Sequence, residues 1–188
     1  MPTGYQIKDQ AGLYYLTFQV VYWIDVFMRK EYRDIVIDSL RYCQQHKSLE
    51  IYGYVIMSNH IHLLLRSGCE DLSGTIRDFK KHTSKAIVEA AKSSQESRQS
   101  WMLRLFAHAA KRQNKEGTYQ LWTHENHACL AYSNEFIQEK LSYIHNNPVR
   151  AGIVEHPEDY IYSSARSYAG KESLLDIIHI DMKWKTAT

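Results

Sequence analysis

The chain has 188 residues, of which 44% are hydrophobic, a size and composition suited to one well-buried globular core. Three cysteines without a paired spacing argue against a disulfide framework and for a reducing compartment. The apolar runs are too short and too often interrupted to span a bilayer, so we expect a cytoplasmic protein without membrane insertion or secretion.

The basic charge of the chain is concentrated in its middle. The net charge is only +2, yet residues 71–115 hold ten Lys or Arg against four Asp or Glu, a local charge of +6. Such a concentration is expected of a surface that meets phosphates. A solvated helix face is the commoner explanation of a charge run, so this feature alone decides nothing.

The first third of the chain predicts a strand, a helix and two more strands. Residues 13–23 are rich in aromatic and β-branched types and predict the first strand. Apolar residues at helical spacing predict a helix over residues 29–47. Two further apolar runs, at 51–57 and 60–66, predict strands joined by the tight turn Ser58–Asn59.

The next segments predict two helices. Residues 72–90 form a long amphipathic pattern, and its polar side carries a basic stripe at i, i+4 and i+8. The stripe consists of Arg77, Lys81 and Lys85. After a polar break at 93–100, residues 101–112 predict a shorter helix.

The last elements are a fourth strand and a further helix. Residues 118–122 predict the strand. Ser133 is a suitable N-cap for a helix that runs to about Asn147, and we expect Pro148 to end it, since the residue before a proline is pushed out of the helical region.

This order of elements predicts an α+β ferredoxin-like sandwich. One antiparallel sheet would carry helices on one face and leave the other face for function. We expect a single domain over residues 1–170, capped by a short helix after Gly152, and a C-terminal tail at 171–188.

Two histidines interrupt the apolar run MSNHIHLLL. On a strand, His60 and His62 share one face, whereas Ile61 and Leu63 share the other and would anchor the strand in the core. Two imidazoles on one strand face can bind one metal ion. The alternative is a pair of partly exposed strand residues without a ligand.

A second informative stretch is KLSYIHNNPVRAG, residues 140–152. Tyr143 and Asn147 stand at i and i+4 of the predicted helix, so a hydroxyl and a carboxamide project from one side. Among fourteen tyrosines a single one is usually a packing residue, and only a partner elsewhere in the fold would single it out.

The two stretches, in this order and with a basic helix between them, resemble the paired signature of the single-tyrosine HUH transposases. The resemblance is strongest to the REP-associated tyrosine transposases and their insertion-sequence relatives, and it covers about residues 13–170. It implies that His60 and His62 bind a metal, that Tyr143 is the nucleophile and that Asn147 supplies a third ligand. It also implies a DNA-binding surface on the basic helix, made of Arg77, Lys80, Lys81 and Lys85.

The resemblance further implies a reaction. A divalent metal, Mg²⁺ or Mn²⁺, would help Tyr143 to cut single-stranded or hairpin DNA, giving a 5′-phosphotyrosine link and a free 3′-hydroxyl that allows strand transfer. It implies a homodimer in the bacterial cytoplasm, associated with the nucleoid. Trp122, Tyr162 and Tyr168 are aromatic candidates for stacking on bases, although packing in the core is the commoner role.

Two other functions fit the same residues. A domesticated descendant would bind a DNA hairpin without cutting it. A small ferredoxin-like metal-binding or interaction domain would have no role with nucleic acid, and its basic stripe would be only a solvated face. A zinc site at His124, His127 and Cys129 is disfavoured because no second ligand pair stands at the usual spacing.

Overall fold

The computed structural model describes residues 6–93, 96–112 and 118–180. Four strands form one antiparallel sheet. They are β1 (Tyr14–Gln19), β2 (Leu49–Ile56), β3 (His60–Ser67) and β4 (Cys129–Leu130), in the spatial order β2-β3-β1-β4. The helices are α1 (Lys30–Lys47), α2 (Leu72–Ser93), α3 (Gln99–Arg112), α4 (Asn134–Arg150) and α5 (Ala165–Tyr168).

The two faces of the sheet have different roles. On β1, Tyr14, Leu16 and Phe18 are buried against the layer formed by α1 and α2, where Phe18 contacts Phe79 of α2. The alternate residues of β1 point to the opposite face, and the register sets Thr17 beside His62. Helix α4 packs on this second face. The predicted α+β sandwich with antiparallel sheet is therefore confirmed.

The predicted fourth strand at residues 118–122 is wrong. Within it, Trp122 forms an isolated antiparallel bridge with Val20, the residue that follows β1. The amide of Gln120 donates to the carbonyl of Phe106 in α3 (3.1 Å) and not to the sheet, so the segment forms no continuous ladder with β1. The edge of β1 is paired by the two residues of β4, further along the chain.

The predicted first strand is too long at its C-terminal end. β1 stops at Gln19, and the chain continues through two short 3₁₀ turns at Val21–Trp23 and Val26–Met28. Val20, Val21 and Ile24 remain buried, so the apolar pattern reports burial here and not strand geometry.

Helix α4 begins as predicted but ends later. The Ser133 side chain accepts a hydrogen bond from the amide of Phe136, which confirms the N-cap. Pro148 lies inside the helix, because in the last turn a proline removes only one backbone hydrogen bond. Gly152, at φ 69°, ends the helix: its amide and the next one donate to the carbonyls of Val149 and Pro148, in a Schellman motif.

Residues 171–180 form no helix or strand but lie against the domain. Leu175 is 5% exposed, and the amide of Ile178 donates to the carbonyl of Ile51 in β2 (2.9 Å). The end of the predicted tail, residues 181–188, lies outside the described residues. In the described parts of the chain, no helix is both long and apolar enough to cross a membrane.

Candidate active site

The two histidines of β3 lie together on the sheet face that α4 covers. Their ring centroids are 4.7 Å apart and the ring planes meet at 71°. His60 is the first residue of β3, and His62 pairs across the sheet with Thr17 of β1. The strand alternation thus brings the pair together as the sequence predicts.

Hydrogen bonds hold one ring nitrogen of His62, whereas the other has no partner among the described residues. Its Nδ1 lies 2.8 Å from the Tyr15 hydroxyl and 2.9 Å from Oγ1 of Thr17, and its ring stacks on that of Tyr15. Burial, with a contribution from nearby His60, lowers the pKa of His62 to about 3, so its imidazole is neutral. Its Nε2 is buried and has no hydrogen-bond partner among the described residues.

His60 is fixed by the turn that precedes it. Nδ2 of Asn59 donates to a carboxylate oxygen of Asp25 (2.9 Å) and to the carbonyl of Trp23 (3.3 Å), which orients the amide. Oδ1 of Asn59 then faces Nδ1 of His60 at 2.8 Å, so this nitrogen is the donor and Nε2 keeps its lone pair. Burial also lowers the pKa of His60.

The histidine pair fits a divalent metal. Neutral imidazoles are metal ligands, and the buried Nε2 of His62 is a polar atom without a partner among the described residues, which a bound ion would satisfy. Asn147, the predicted third ligand, lies on α4 one turn beyond Tyr143 and is partly buried. Within the described ranges, no hydrogen bond joins its side chain to either histidine.

No other metal site emerges from the part of the chain that the structure describes. No group of three or more His, Cys, Asp or Glu is arranged to hold an ion there. His124, His127 and Cys129 do not form such a group; the Cys129 thiol instead donates to the carbonyl of His127. The pair on β3, with an amide as a third donor, remains the candidate.

Tyr143 stands next to the histidine pair. Its ring centroid is 5.2 Å from that of His62 at 73°, and 6.5 Å from that of Tyr15 at 81°. The side chain is 38% exposed, and the Arg150 guanidinium lies 5.5 Å from its ring centroid. The Tyr143 side chain therefore lies beside the histidine pair and close to the positive charge of Arg150, at a partly exposed position.

The sequence alone missed the residues that hold the histidines. Tyr15, Thr17 and Asn59 all contact an Nδ1 atom. Lys140 adds a charge nearby, with its Nζ 5.4 Å from the ring centroid of Tyr15. The alternation of β1 puts Tyr15 and Thr17 on one face, but only the β1–β3 register sets them opposite His62.

The predicted DNA-binding residues divide into two groups. Arg77, Lys81 and Lys85 are exposed on α2. Lys80 points inward, where its Nζ donates to the carbonyl of Thr123 (2.9 Å) and to Oδ1 of Asn126 (2.7 Å). A groove of about 640 Å³ separates this part of α2 from residues 119–126. Lys80 therefore links α2 to residues 119–126, which line the other side of the groove.

A loop with unusual backbone geometry borders His60. Tyr22 and Trp23 are consecutive residues with φ of 56° and 55°, a conformation that bulky L residues rarely adopt and that costs about 1–3 kcal/mol for each. The Trp23 ring centroid is 6.2 Å from that of His60, and the Tyr22 hydroxyl is 2.8 Å from Nδ1 of His108.

Comparison with known proteins identifies the family and the fold of the chain. The family model described as IS200-like transposase matches residues 12–120, which include both histidines and α2 and end before α4. A solved REP-associated tyrosine transposase bound to a REP hairpin aligns over 99% of each chain, with 15% sequence identity and a TM-score of 0.62.

A second solved structure, from Deinococcus radiodurans R1 and itself only provisionally assigned as a transposase, has 19% identity over 75% of this chain and 95% of that one. Its TM-score of 0.41 is too low to support an argument. Curated protein sequences gave no match. The family model covers more than half of the chain, and on this ground the chain belongs to the IS200-like transposase family.

Proposed function

We propose that this transposase-family protein nicks single-stranded DNA and transfers the cut strand, with Tyr143 as the nucleophile. One observation carries the proposal: the Tyr143 ring lies 5.2 Å from the ring of His62, whose Nε2 is buried and has no hydrogen-bond partner in the described part of the chain. A nucleophile thus stands beside an open ligand position, as phosphodiester cleavage requires.

The residues that would hold the metal are His60, His62 and Asn147. Two imidazole nitrogens and one amide oxygen form a mixed donor set that suits Mn²⁺ and accepts Mg²⁺. When bound, such an ion supplies positive charge that polarises a phosphodiester and stabilises the charge developing on it. The hydrogen bonds to both Nδ1 atoms would leave the Nε2 atoms to bind the ion.

The protein itself contributes the nucleophile and its surroundings. In the proposed step, Oη of Tyr143 bonds to the phosphorus while the bond from phosphorus to the 3′-oxygen breaks. The phenolic proton leaves and the 3′-oxygen takes up a proton, which gives a 5′-phosphotyrosine and a free 3′-hydroxyl. The 3′-hydroxyl of another strand reverses the step without ATP. Arg150 and Lys140 place positive charge beside the reacting phosphate.

Single-stranded or hairpin DNA is the proposed substrate. The solved REP-associated transposase is described as bound to a REP hairpin, and its fold matches this chain over its whole length. The exposed Arg77, Lys81 and Lys85 on α2 would contact phosphates. Lys80 donates hydrogen bonds to Thr123 and Asn126, so it would contribute to DNA binding chiefly by fixing the shape of the groove.

The test of the reaction is an adduct assay. Labelled oligonucleotides that carry the hairpins flanking the gene are incubated with the protein and Mn²⁺ or Mg²⁺, then separated by denaturing electrophoresis. We expect a covalent adduct that disappears with Tyr143→Phe and with EDTA. Tyr132→Phe is the matched control, because Tyr132 is 79% exposed just before α4 and should leave the adduct unchanged.

Two results would contradict the proposal. An adduct that persists in Tyr143→Phe would assign the nucleophile to another residue. Tight binding of the hairpin without an adduct in either metal would make the protein a hairpin-binding descendant that no longer cuts DNA.

The proposed DNA-binding surface has a separate test. Lys81→Ala and Lys85→Ala should each weaken binding for all sequences and lower the slope of log affinity against log salt by about 1. Lys30→Ala, which removes an exposed lysine from α1, should leave the slope unchanged. If all three variants have the same slope as the wild type, α2 does not contact the phosphates.

A further inference from the structure

The strained loop after β1 presents an indole ring at the edge of the histidine site. We propose that Trp23 is a stacking platform for the unpaired nucleobase next to the phosphate that Tyr143 attacks. This inference rests on the proposed function, because it places the scissile phosphate at the histidine pair. It adds a binding site for a base and a residue that selects unpaired DNA.

The Trp23 side chain is exposed to solvent and is not part of the buried core. It is 60% exposed, whereas Trp122, the tryptophan that the sequence suggested for base stacking, is 4% exposed in the core. Two neighbours in the same loop, Tyr22 and Met28, are also exposed. Within the described part of the chain, the only ring contact of Trp23 is with His60. Several exposed apolar side chains in one loop are typical of a surface that binds a partner, whereas a single one would need no explanation.

The position of the indole follows from a chain of ring contacts. Trp23 contacts His60 at 6.2 Å, His60 contacts His62 at 4.7 Å, and His62 contacts Tyr143 at 5.2 Å. The histidine pair therefore lies between the nucleophile and the indole. A phosphate held at the pair would have the attacking hydroxyl at one end, and the base of the adjoining nucleotide would reach the indole at the other.

The loop is held so that the indole keeps this position. The amide of Trp23 donates to the carbonyl of Val20 (3.2 Å), and its carbonyl accepts from Nδ2 of Asn59 (3.3 Å). The Tyr22 hydroxyl is bonded to His108 of α3. These contacts stabilise two consecutive residues with positive φ, and residues held in such conformations cluster at functional sites. A ring fixed in advance loses little conformational entropy when a base stacks on it.

A nucleobase is the favoured partner over another protein. Aromatic side chains bind single-stranded DNA because every base has a π-face, and stacking needs no particular base identity. Trp23 adjoins the site for the phosphate, so a base linked to that phosphate arrives with it. In duplex DNA the base would be paired and stacked within the helix, so the indole would favour an unpaired strand.

The experiment is a double-mutant cycle on binding. Binding is measured in the Tyr143→Phe background with Mn²⁺, so that no cleavage occurs, and the probe is a hairpin oligonucleotide with unpaired flanks. An abasic site is placed in turn at each flanking nucleotide. Each probe is tested with and without Trp23→Ala. Tyr42→Ala, which removes a 56% exposed ring from α1, is the matched control.

We expect Trp23→Ala to weaken binding of the intact probe by about 10-fold. One abasic position should cause a similar loss, and the loss should not increase further when that probe meets Trp23→Ala. Tyr42→Ala should have no effect. Unchanged affinity in Trp23→Ala, or losses that multiply at every abasic position, would overturn the inference.

Three further variants separate stacking from folding. Trp23→Gly relieves the positive φ, so it should be at least as stable as the wild type and still bind as weakly as Trp23→Ala. Trp23→Phe should recover most of the affinity, whereas Trp23→Leu, apolar but not aromatic, should not. Equal binding by the Phe and Leu variants would exclude stacking.

The outcome is distinguishable from that of the adduct assay. Coupling between Trp23 and one abasic position, in a protein whose wild type forms no adduct, would establish the base site and reject the cleavage reaction. An adduct in the wild type, without coupling between Trp23 and any abasic position, would support the cleavage reaction and reject the base site. A failure to bind the probe at all would reject both.

Discussion

Asn59 is the residue on which the orientation of His60 depends. Its Oδ1 faces Nδ1 of His60, and Asp25 and the carbonyl of Trp23 hold its Nδ2. We predict that Asn59→Ala binds Mn²⁺ about 10- to 100-fold more weakly, because residues that orient metal ligands contribute that much to affinity.

Isothermal titration with Mn²⁺ measures this effect without DNA or turnover. Ser58→Ala is the control, because the neighbouring residue contributes only its backbone carbonyl, which accepts from the amide of Phe27. If Asn59→Ala and the wild type bind Mn²⁺ equally, the amide does not position His60.

Three histidines with lowered pKa values make the metal-free protein sensitive to acid. Burial lowers the pKa of His62 to about 3 and that of His145 to about 4, and it also lowers that of His60, against about 6.5 for a histidine in the unfolded chain. Between these values the unfolded chain binds protons that the folded chain does not. Stability conferred by the neutral histidines is therefore complete above pH 6.5 and is lost as the pH falls below it.

We predict a loss of up to about 1.4 kcal/mol per pH unit for each histidine as the pH falls from about 6.5 to about 5.5, before ordinary carboxylates begin to titrate. Urea unfolding in EDTA at several pH values measures the slope. His145→Gln should reduce the slope, since His145 is one of the three histidines whose pKa is lowered in the folded chain. A free energy of unfolding that does not change between these pH values would contradict the lowered pKa values of the histidines.

At the scale of elements, Gly53 of β2 sets how closely α4 approaches the sheet. A Cβ at this position would lie 2.6 Å from Cδ2 of Leu141 and 3.5 Å from Cδ1 of Ile144, both buried on α4. Tyr143 follows Leu141 by two residues, so a displaced helix would also displace the proposed nucleophile.

We predict that Gly53→Ala lowers the free energy of unfolding by about 1–3 kcal/mol and slows formation of the adduct. Chemical unfolding and the adduct assay measure the two effects. Combined with Leu141→Ala, which removes the clashing atom, the loss in stability should be smaller than the sum of the two single losses. Additive losses would show that Gly53 does not limit the approach of α4.

The outer edge of β2 is covered by the chain itself. The amide of Ile56 donates to the carbonyl of Tyr162, and the amide of Ile178 donates to the carbonyl of Ile51. Ser163 also forms an isolated bridge with Val55. A second copy that joined its sheet to this one would have to use the side of β4. The homodimer stays a prediction, and light scattering of the purified protein tests it.

At the scale of the whole molecule, residues 171–180 contribute to the stability of the fold. Leu175 is 5% exposed, and the Arg41 guanidinium donates to the carbonyl of Leu174 (2.9 Å). Although the sequence predicted a domain that ends at residue 170, we propose that the folded unit extends to at least residue 180.

We predict that truncation after Gly170 lowers the free energy of unfolding by at least about 2 kcal/mol, since burying one leucine alone contributes about 1.5–3 kcal/mol. Leu175→Ala should cost about 2–5 kcal/mol, whereas Ile178→Ala should cost less because Ile178 is 43% exposed. Urea midpoints measure all three. A truncated protein as stable as the full chain would restore the boundary at residue 170.

The sequence by itself determined the local elements and the shared face of the histidines. Apolar residues at helical spacing gave α1, α2 and α3 within a few residues, and strand alternation placed His60 and His62 on one side. Both follow from near neighbours along the chain, which is why one sequence suffices. The resemblance to the HUH transposases also predicts Tyr143 as the nucleophile, and this role stays a prediction.

Only the tertiary structure decided what surrounds these residues. The β1–β3 register brings Thr17 to His62, the bond to Thr123 draws Lys80 inward, and the loop after β1 exposes Trp23 while Trp122 is buried. Each result depends on contacts between residues far apart in the sequence. Apolar and basic residue types have the same local pattern whether they finish buried or exposed, so packing alone assigns them a role.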